Sequence, residues 1–391
     1  MSETSKTAPV WSALNARMVD RLKESGAIRS RRVEDAFREI PRHLFLPGRD
    51  HDVVYSGQAI VTRSDAEGRP TSSSSEPAIM APMIEALSVE PGQRVLEIGV
   101  GTGFNAALLD RLVGSDGAVV SVDVQPDVAE EAQANLAAAG HARVRVVAGD
   151  GYVGYEPFAP YDRIIATAGV RDVSRSWRDQ LREGGMLVVP MRFRSGSGMV
   201  VAFRRAGDEL ESVAVITGGF MPLRTEHQAL EAPVKFGEDW EAWLEPAEEG
   251  DGDLLGQLLR AEPTIESFRE VPWQVTFCLI GLVEPNWMLI RQKQRPTPWS
   301  GLLDRASRGI ALLVPIPLPV AAPRSAVLTY GSAVAGDRLR ADVDALAEAK
   351  VERLRIRAVP SDGKRPTGDV VFEKGNFTYA INWRQAKTSD N

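Results

Sequence analysis

The chain has 391 residues, a formal net charge of −7, and a single cysteine, Cys278. Its length implies two or three domains, and its 43% hydrophobic content supplies ample core material. The acidic balance argues against a nucleic-acid backbone as main partner, because phosphate neutralisation needs a basic surface. One cysteine excludes a disulfide or a cysteine-rich metal site and fits a reducing, cytoplasmic compartment.

Residues 1–8 read as a loose tail without an apolar signal core. Residues 11–23 and 31–40 carry apolar side chains at three- and four-residue spacing, the pattern of amphipathic helices. The second helix should stop at Pro41. Residues 55–62 are mixed, and residues 64–71 read as a polar loop. Ser72, Ser73, Ser74 and Ser75, followed by Glu76-Pro77, then open a helix over 78–87. A serine run is ordinarily a flexible linker, and Ser75 alone would serve as a helix cap. This run nevertheless stands directly before the next strand, where a helix entry can face a pocket.

Residues 95–104 read Val-Leu-Glu-Ile-Gly-Val-Gly-Thr-Gly-Phe: a strand, then Gly99, Gly101 and Gly103, then a helix over 105–113. Glycine there permits positive φ and close approach of a ligand, and the helix start offers free N–H groups. The whole is a nucleotide-type pocket at the carboxyl end of a first parallel strand. A dinucleotide fingerprint would need glycine at Phe104, and a Walker loop would need Gly-Lys-Ser/Thr. Residues 118–123 form a second strand ending in Asp123, about twenty residues past the loop, where a ribose-binding carboxylate belongs. Its plainer reading is an N-terminal acid of the helix after Pro126. Residues 143–148 form a third strand running into Gly149-Asp150-Gly151, which alone is a plain turn.

Residues 161–167 are a fourth strand, 174–181 a short helix broken by Gly184-Gly185, and 186–191 a fifth strand. Residues 199–204 and 210–216 form a closing antiparallel pair. This alternation implies a parallel sheet covered on both sides. Residues 244–256, with Glu245, Glu248, Glu249, Asp251 and Asp253, read as a solvated linker. Beyond it, 254–261 should be helical, 274–283 and 288–292 strands, and 337–354 a helix. Residues 354–359 and 370–383 suggest a terminal hairpin through 361–363. No run is long and apolar enough to span a membrane: residues 310–322 are broken by Pro315, Pro317 and Pro319. His43, His51, His141 and His227 are scattered, so no metal is expected.

The Glu-x-Gly-x-Gly-x-Gly form, from Glu97 to Gly103, resembles motif I of S-adenosylmethionine-dependent methyltransferases. Residues 31–224 further resemble the protein-L-isoaspartate O-methyltransferase family. The likeness is carried by Pro41-Arg42 with Phe45, Ser75-Glu76-Pro77 before a helix, residues 95–104, Gly149-Asp150-Gly151, residues 161–165, Gly184 to Pro190, and Met221-Pro222-Leu223. It implies an α/β fold: a doubly wound Rossmann-like methyltransferase sheet with N-terminal helices and a C-terminal mixed α+β module. The expected domains are 1–224 and 225–391, the second an accessory for substrate recognition. S-adenosyl-L-methionine is the implied cofactor.

Asp150 and Gly151 are then expected at its adenine, Asp123 at its ribose, and Gly99 and Gly101 beside its methionine portion. Glu97 is expected at the methionine end or a water there, or else bonded to loop N–H groups. Ser75 is expected to aim the acceptor carboxylate, with Ser73 and Ser74 as helpers or N–H donors. A carboxylate is already ionised at neutral pH, so no strong base is required.

Two departures bear on substrate. The family usually has Thr-Ile-Ser where this chain has Ser73-Ser74-Ser75, and the chain runs on past Leu223, where the housekeeping enzyme ends. In both it resembles enlarged members found with ribosomally made, modified peptides such as lanthipeptides, lasso peptides and graspetides. These esterify a peptide aspartate whose ester collapses to an aspartimide, in some cases hydrolysed to isoaspartate. The expectation is therefore a peptide aspartate O-methyltransferase. The alternatives are a general isoaspartyl repair methyltransferase, a small-molecule carboxyl methyltransferase and a non-catalytic S-adenosylmethionine-binding scaffold. The partner is a peptide or protein bearing an aspartyl or isoaspartyl residue, with neither nucleic acid nor membrane expected.

Overall fold

The apolar spacing at the N-terminus builds α1 (Val10–Glu24) and α2 (Arg31–Glu39). Ser30 caps α2 by accepting from the Val33 N–H at 3.4 Å. Met18, Val19, Val33 and Phe37 turn inward and are buried. The computed structural model describes residues 10–66, 68–194, 198–228, 232–268, 271, 278–294, 298–316, 324–346 and 349–383. The chain divides into two units, Met1–Pro190 with Val200–Gln228, and Met191–Met199 with Ala229–Asn391.

In the first unit a 3-10 turn (Arg42–Phe45) and the short α3 (His51–Val54) lead to an antiparallel hairpin, β1 (Ile60–Ser64) and β2 (Pro70–Ser74). Ile60 faces Ser74 and Val61 faces Ser73 across it. The serine run, whose composition reads as linker, is thus in large part a strand. Pairing with β1 supplies the order that its side chains do not. α4 (Pro77–Leu87) follows with Glu76 as its N-cap residue and Pro77 at its start.

The sheet is built from β3 (Arg94–Ile98), β4 (Ala118–Asp123), β5 (Arg145–Ala148), β6 (Tyr161–Ala166), β7 (Leu181–Arg192), β8 (Gly198–Ala206) and β9 (Glu209–Thr217). Helices α5 (Phe104–Val113), α6 (Pro126–Ala138) and α7 (Arg175–Gln180) connect them. These seven strands lie in the order β5-β4-β3-β6-β7-β8-β9 within a ten-stranded sheet. β3 pairs in parallel with β4 on one side and β6 on the other, Leu96 lying opposite both Val120 and Ile164. The winding therefore reverses beside β3, and the crevice at such a reversal is where open α/β sheets bind ligands. Val95, Leu96, Ile98, Leu187, Val188 and Val189 are all fully buried, as a doubly covered sheet requires. β7 starts earlier than expected, at Leu181, with Gly184 and Gly185 inside it.

The second unit is mostly antiparallel. Its seven-stranded sheet runs in the order β10 (Val234–Phe236), β11 (Trp240–Leu244), β13 (Trp287–Gln292), β14 (Trp299–Asp304), β15 (Gly309–Ile316), β16 (Arg324–Gly331) and β12 (Thr264–Phe268). α8 (Asp251–Leu258), α9 (Ile280–Val283) and α10 (Ala333–Ala345) accompany it. Phe236, Leu255, Met288, Ile290, Leu303 and Leu312 form part of a common core.

Several expectations fail here. Asp251, read as part of a solvated linker, is 3% exposed and starts α8. Its two carboxylate oxygens accept from Arg305 Nε (2.8 Å) and Nη2 (2.9 Å), and that pairing is what lets a linker-like acid be buried. Residues 280–283, expected in a strand, are helical, while 272–277 lie outside the described residues. The helix expected over 337–354 begins and ends earlier, as α10. β17 (Arg355–Pro360) pairs with β19 (Phe377–Asn382), and β19 pairs in turn with β18 (Val370–Lys374), so the tight hairpin lies at Gly375-Asn376 rather than at 361–363. No described helix is long and apolar enough to cross a membrane.

Replacing Arg305 by Met strands the Asp251 carboxylate, and removing one partner of such a buried pair costs about 3–5 kcal/mol. Urea unfolding of R305M should show that loss. A change below about 1 kcal/mol, the worth of an exposed ion pair, would mean the pair carries little.

Candidate active site

The loop after β3 is held from two sides. At Gly99, with φ 95°, an added Cβ would lie 2.5 Å from Thr167 Oγ1. At Gly101, with φ 52°, it would lie 3.1 Å from the Ser73 carbonyl oxygen. Both positions therefore need glycine for the backbone conformation and for the close neighbour. The Thr167 hydroxyl, just past β6, donates to the Gly99 carbonyl at 2.6 Å. Asp123, at the end of β4, accepts from the N–H of Gly101 (3.2 Å) and of Gln125 (3.1 Å). Burial raises the Asp123 pKa, and these backbone donors oppose the rise.

Between β2, this loop and the end of β6 lies a cavity of about 280 Å³. Ser73, Ser74, Ser75, Gly99, Gly101, Asp123 and Gly151 line it, together with Glu76, Asn105, Thr167 and residues 219–224. The last segment is docked by two backbone bonds at 2.7 Å, from Gly169 N–H to the Met221 carbonyl and from Leu223 N–H to the Gly169 carbonyl.

Two expected cofactor residues are not in this lining. Glu97 is fully buried behind it. One of its oxygens accepts from Asn105 Nδ2 at 2.7 Å and the other from the Ser121 hydroxyl, so side chains of α5 and β4 bond it, not loop N–H groups. Burial lifts its pKa from 4.5 to about 7, against the pull of both donors. Asp150 caps the turn Gly151–Val153 by accepting from Tyr152 N–H (2.9 Å), and its other oxygen accepts from the Thr225 hydroxyl (2.7 Å). Only its neighbour Gly151 reaches the wall.

The serines also separate. Strand alternation turns Ser72 and Ser74 inward, at 6% and 3% exposure. The Ser74 hydroxyl accepts from Arg42 Nη2 at 3.3 Å, a bond that engages its oxygen and leaves its proton to donate. Ser73 and Ser75 line the cavity, and their hydroxyls have no hydrogen-bond partner among the described residues. Ser75 does not cap α4: the N-cap residue is Glu76, and no side chain bonds that helix start.

Arg42, which in the sequence only carried the family likeness with Pro41 and Phe45, has no site role assigned to it there. It is 0% exposed and donates to the carbonyls of Val54 (2.8 Å), Gln58 (3.2 Å), Ser74 (3.5 Å) and Ser75 (3.0 Å). Besides that motif, its sequence signal is a cation close to Leu44, Phe45 and Leu46. Thr167 carried a weaker one, as a polar residue ending the fourth strand.

The sequence profile of the protein-L-isoaspartate(D-aspartate) O-methyltransferase (PCMT) family matches residues 13–228. A protein-L-isoaspartate O-methyltransferase of Methanopyrus kandleri is 42% identical over 183 residues, 46% of this chain and 78% of its own. One of Thermotoga maritima is 42% identical over 173 residues, 44% of this chain but 54% of its own, so it too extends beyond the shared part. A solved protein-L-isoaspartate O-methyltransferase structure aligns with 94% of this chain and 99% of its own, at 25% identity and a TM-score of 0.52.

Because the folded pKa of Glu97 lies above its ordinary 4.5, the native state holds this proton and loses stability as pH rises from 4.5 through about 7. The rise corresponds to about 3 kcal/mol. E97Q keeps an acceptor for Asn105 and carries no charge, so its stability curve should lack that fall. Parallel curves for E97Q and wild type from pH 4.5 to 8 would show that Glu97 does not titrate there.

Proposed function

The chain belongs to the protein-L-isoaspartate(D-aspartate) O-methyltransferase family, and we propose that it esterifies the free carboxylate of isoaspartyl residues in proteins and peptides. It is an S-adenosyl-L-methionine-dependent carboxyl O-methyltransferase. The residues at the ends of β3 and β4 fit that cofactor. Gly99 and Gly101 keep side chains off the loop, and Asp123 offers a half-buried carboxylate at the cavity for sugar hydroxyls. Bound there, S-adenosyl-L-methionine supplies a methyl group already activated by sulfonium charge.

The protein then has to place an ionised carboxylate in line with that methyl, and placement of this kind is worth on the order of 7–11 kcal/mol in favourable cases. The observation that carries the reading is that Ser73 and Ser75, whose hydroxyls have no hydrogen-bond partner among the described residues, line the same cavity as the glycine loop. Each can donate to a carboxylate oxygen and aim it without taking its charge. The start of α4 adds a favourable dipole for an anion. The ester carries a better leaving group, methoxide, than the carboxylate does: the next backbone nitrogen bonds to the ester carbonyl carbon, the bond to methoxide breaks, and methoxide leaves as methanol with the amide proton, which needs no further residue.

The narrower reading, an aspartate in a ribosomally made peptide, is favoured by the serine run and the long chain. The weight of chain length is reduced by a solved relative of matching span that bears the general activity in its name. We therefore rank the isoaspartyl reading first, and assign residues 225–391 to gripping the substrate.

An isoaspartyl hexapeptide and its aspartyl twin, each incubated with labelled S-adenosyl-L-methionine, decide the matter. Methyl incorporation and methanol release from the isoaspartyl peptide are expected. S75A should lower kcat/KM about 10–100-fold, the worth of one hydrogen bond to a charged group. Turnover of a constrained aspartyl precursor peptide alone would reverse the ranking. Binding of S-adenosyl-L-homocysteine with no transfer to any peptide would leave a scaffold.

A further inference from the structure

The joint between β2 and α4 carries Ser75 and ought to be weak. A helix start leaves orphan N–H groups. Glu76, the N-cap residue, makes no side-chain cap bond, and Ser75 makes none either. Pro77 removes one orphan by lacking an N–H, but it does not tie the joint to the rest of the unit.

Arg42 supplies that tie. Its Nη2 lies 3.0 Å from the Ser75 carbonyl, 3.5 Å from the Ser74 carbonyl and 3.3 Å from the Ser74 hydroxyl. Nη2 is also within reach of the Gln58 carbonyl, and Nη1 donates to that of Val54. One planar group thus gathers α3, the approach to β1 and the β2–α4 joint. No ion pair to Arg42 is found among the described residues. Burial pushes its pKa down to about 10, against the fields of Tyr55 and Glu76.

A fully buried guanidinium without a carboxylate partner is costly. An apolar side chain of similar size would fill the space more cheaply but would leave the carbonyls of Ser74 and Ser75 without donors. The cost is spent at a joint that lines the cavity.

We propose that Arg42 is a positioning residue for methyl transfer: by donating to the carbonyls of Ser74 and Ser75 it holds the backbone of this joint, and with it the Ser75 hydroxyl that meets the acceptor carboxylate. This rests on the isoaspartyl reading of the same cavity. Fixing the Ser75 carbonyl fixes the peptide plane that follows it, and with it the direction of the side chain. Arginine suits this task and lysine does not, because only a planar fork reaches several carbonyls at once.

The test is a cycle of R42K, S75A and R42K/S75A in the full chain. Its readouts are kcat/KM for the isoaspartyl hexapeptide, the Kd of S-adenosyl-L-homocysteine by calorimetry, and thermal melting to establish folding. R42K should lower kcat/KM by about tenfold or more through Ser75, and by less than about threefold once Ser75 is already Ala, the non-additivity of coupled neighbours. The Kd of S-adenosyl-L-homocysteine should stay within about threefold of wild type, since Arg42 bonds none of the loop residues. Equal losses in both backgrounds, an unchanged kcat/KM, or a Kd that weakens in step with kcat/KM would each overturn the proposal. If R42K does not fold, S74A, which removes one acceptor of Arg42 and no charge, takes its place in the cycle. Its smaller loss, about threefold, must then vanish in the S75A background. Wild-type turnover of the hexapeptide is read separately, so an idle wild type rejects the function, whereas an active wild type with an indifferent R42K rejects only the role of Arg42.

Discussion

A stretch of backbone with no side chain between it and its neighbours sets the geometry of the catalytic unit. Gly99 runs against Thr167 and Gly101 against the Ser73 carbonyl, so the loop after β3 is braced by β6 on one side and by the β1–β2 hairpin on the other. A methyl group at either place would meet an oxygen at 3.1 Å or less. The approach puts the glycine loop, the reversal of strand order and the serine strand around one cavity. The glycine loop and the serine strand share a wall because the backbone can come that close.

Behind that wall, polar groups are buried where apolar ones would be simpler. Glu97 joins β3 to the first turn of α5 and to β4 through Asn105 and Ser121. Arg42 collects carbonyls from three segments. Neither lines the cavity, yet each bonds a residue that does or a strand that leads to it. Buried polar groups cost less when their partners are met, and they then specify a single arrangement. In the second unit the Asp251–Arg305 pair is a similar bidentate clamp at the start of α8.

The second unit is a mostly antiparallel sheet with its own core. The profile match ends at residue 228, where the first unit ends.

Local chemistry alone determined the parallel sheet, the glycine loop and Asp123, because strand periodicity, glycine spacing and a strand-end acid are properties of neighbours in sequence. The family was legible for the same reason: its motifs are short and ordered. The serine run was not legible as a strand, since its pairing partner β1 adds the order its composition lacks. Nor was the division of labour within it, where alternation sends Ser74 to Arg42 and leaves Ser73 and Ser75 open. Glu97 and Asp150 stood at the right places in the chain but spend their oxygens on Asn105, Ser121, Tyr152 and Thr225, three of them more than twenty residues distant or on another element. Which polar group is free and which is taken depends on partners brought together by folding, and only the tertiary structure decides that.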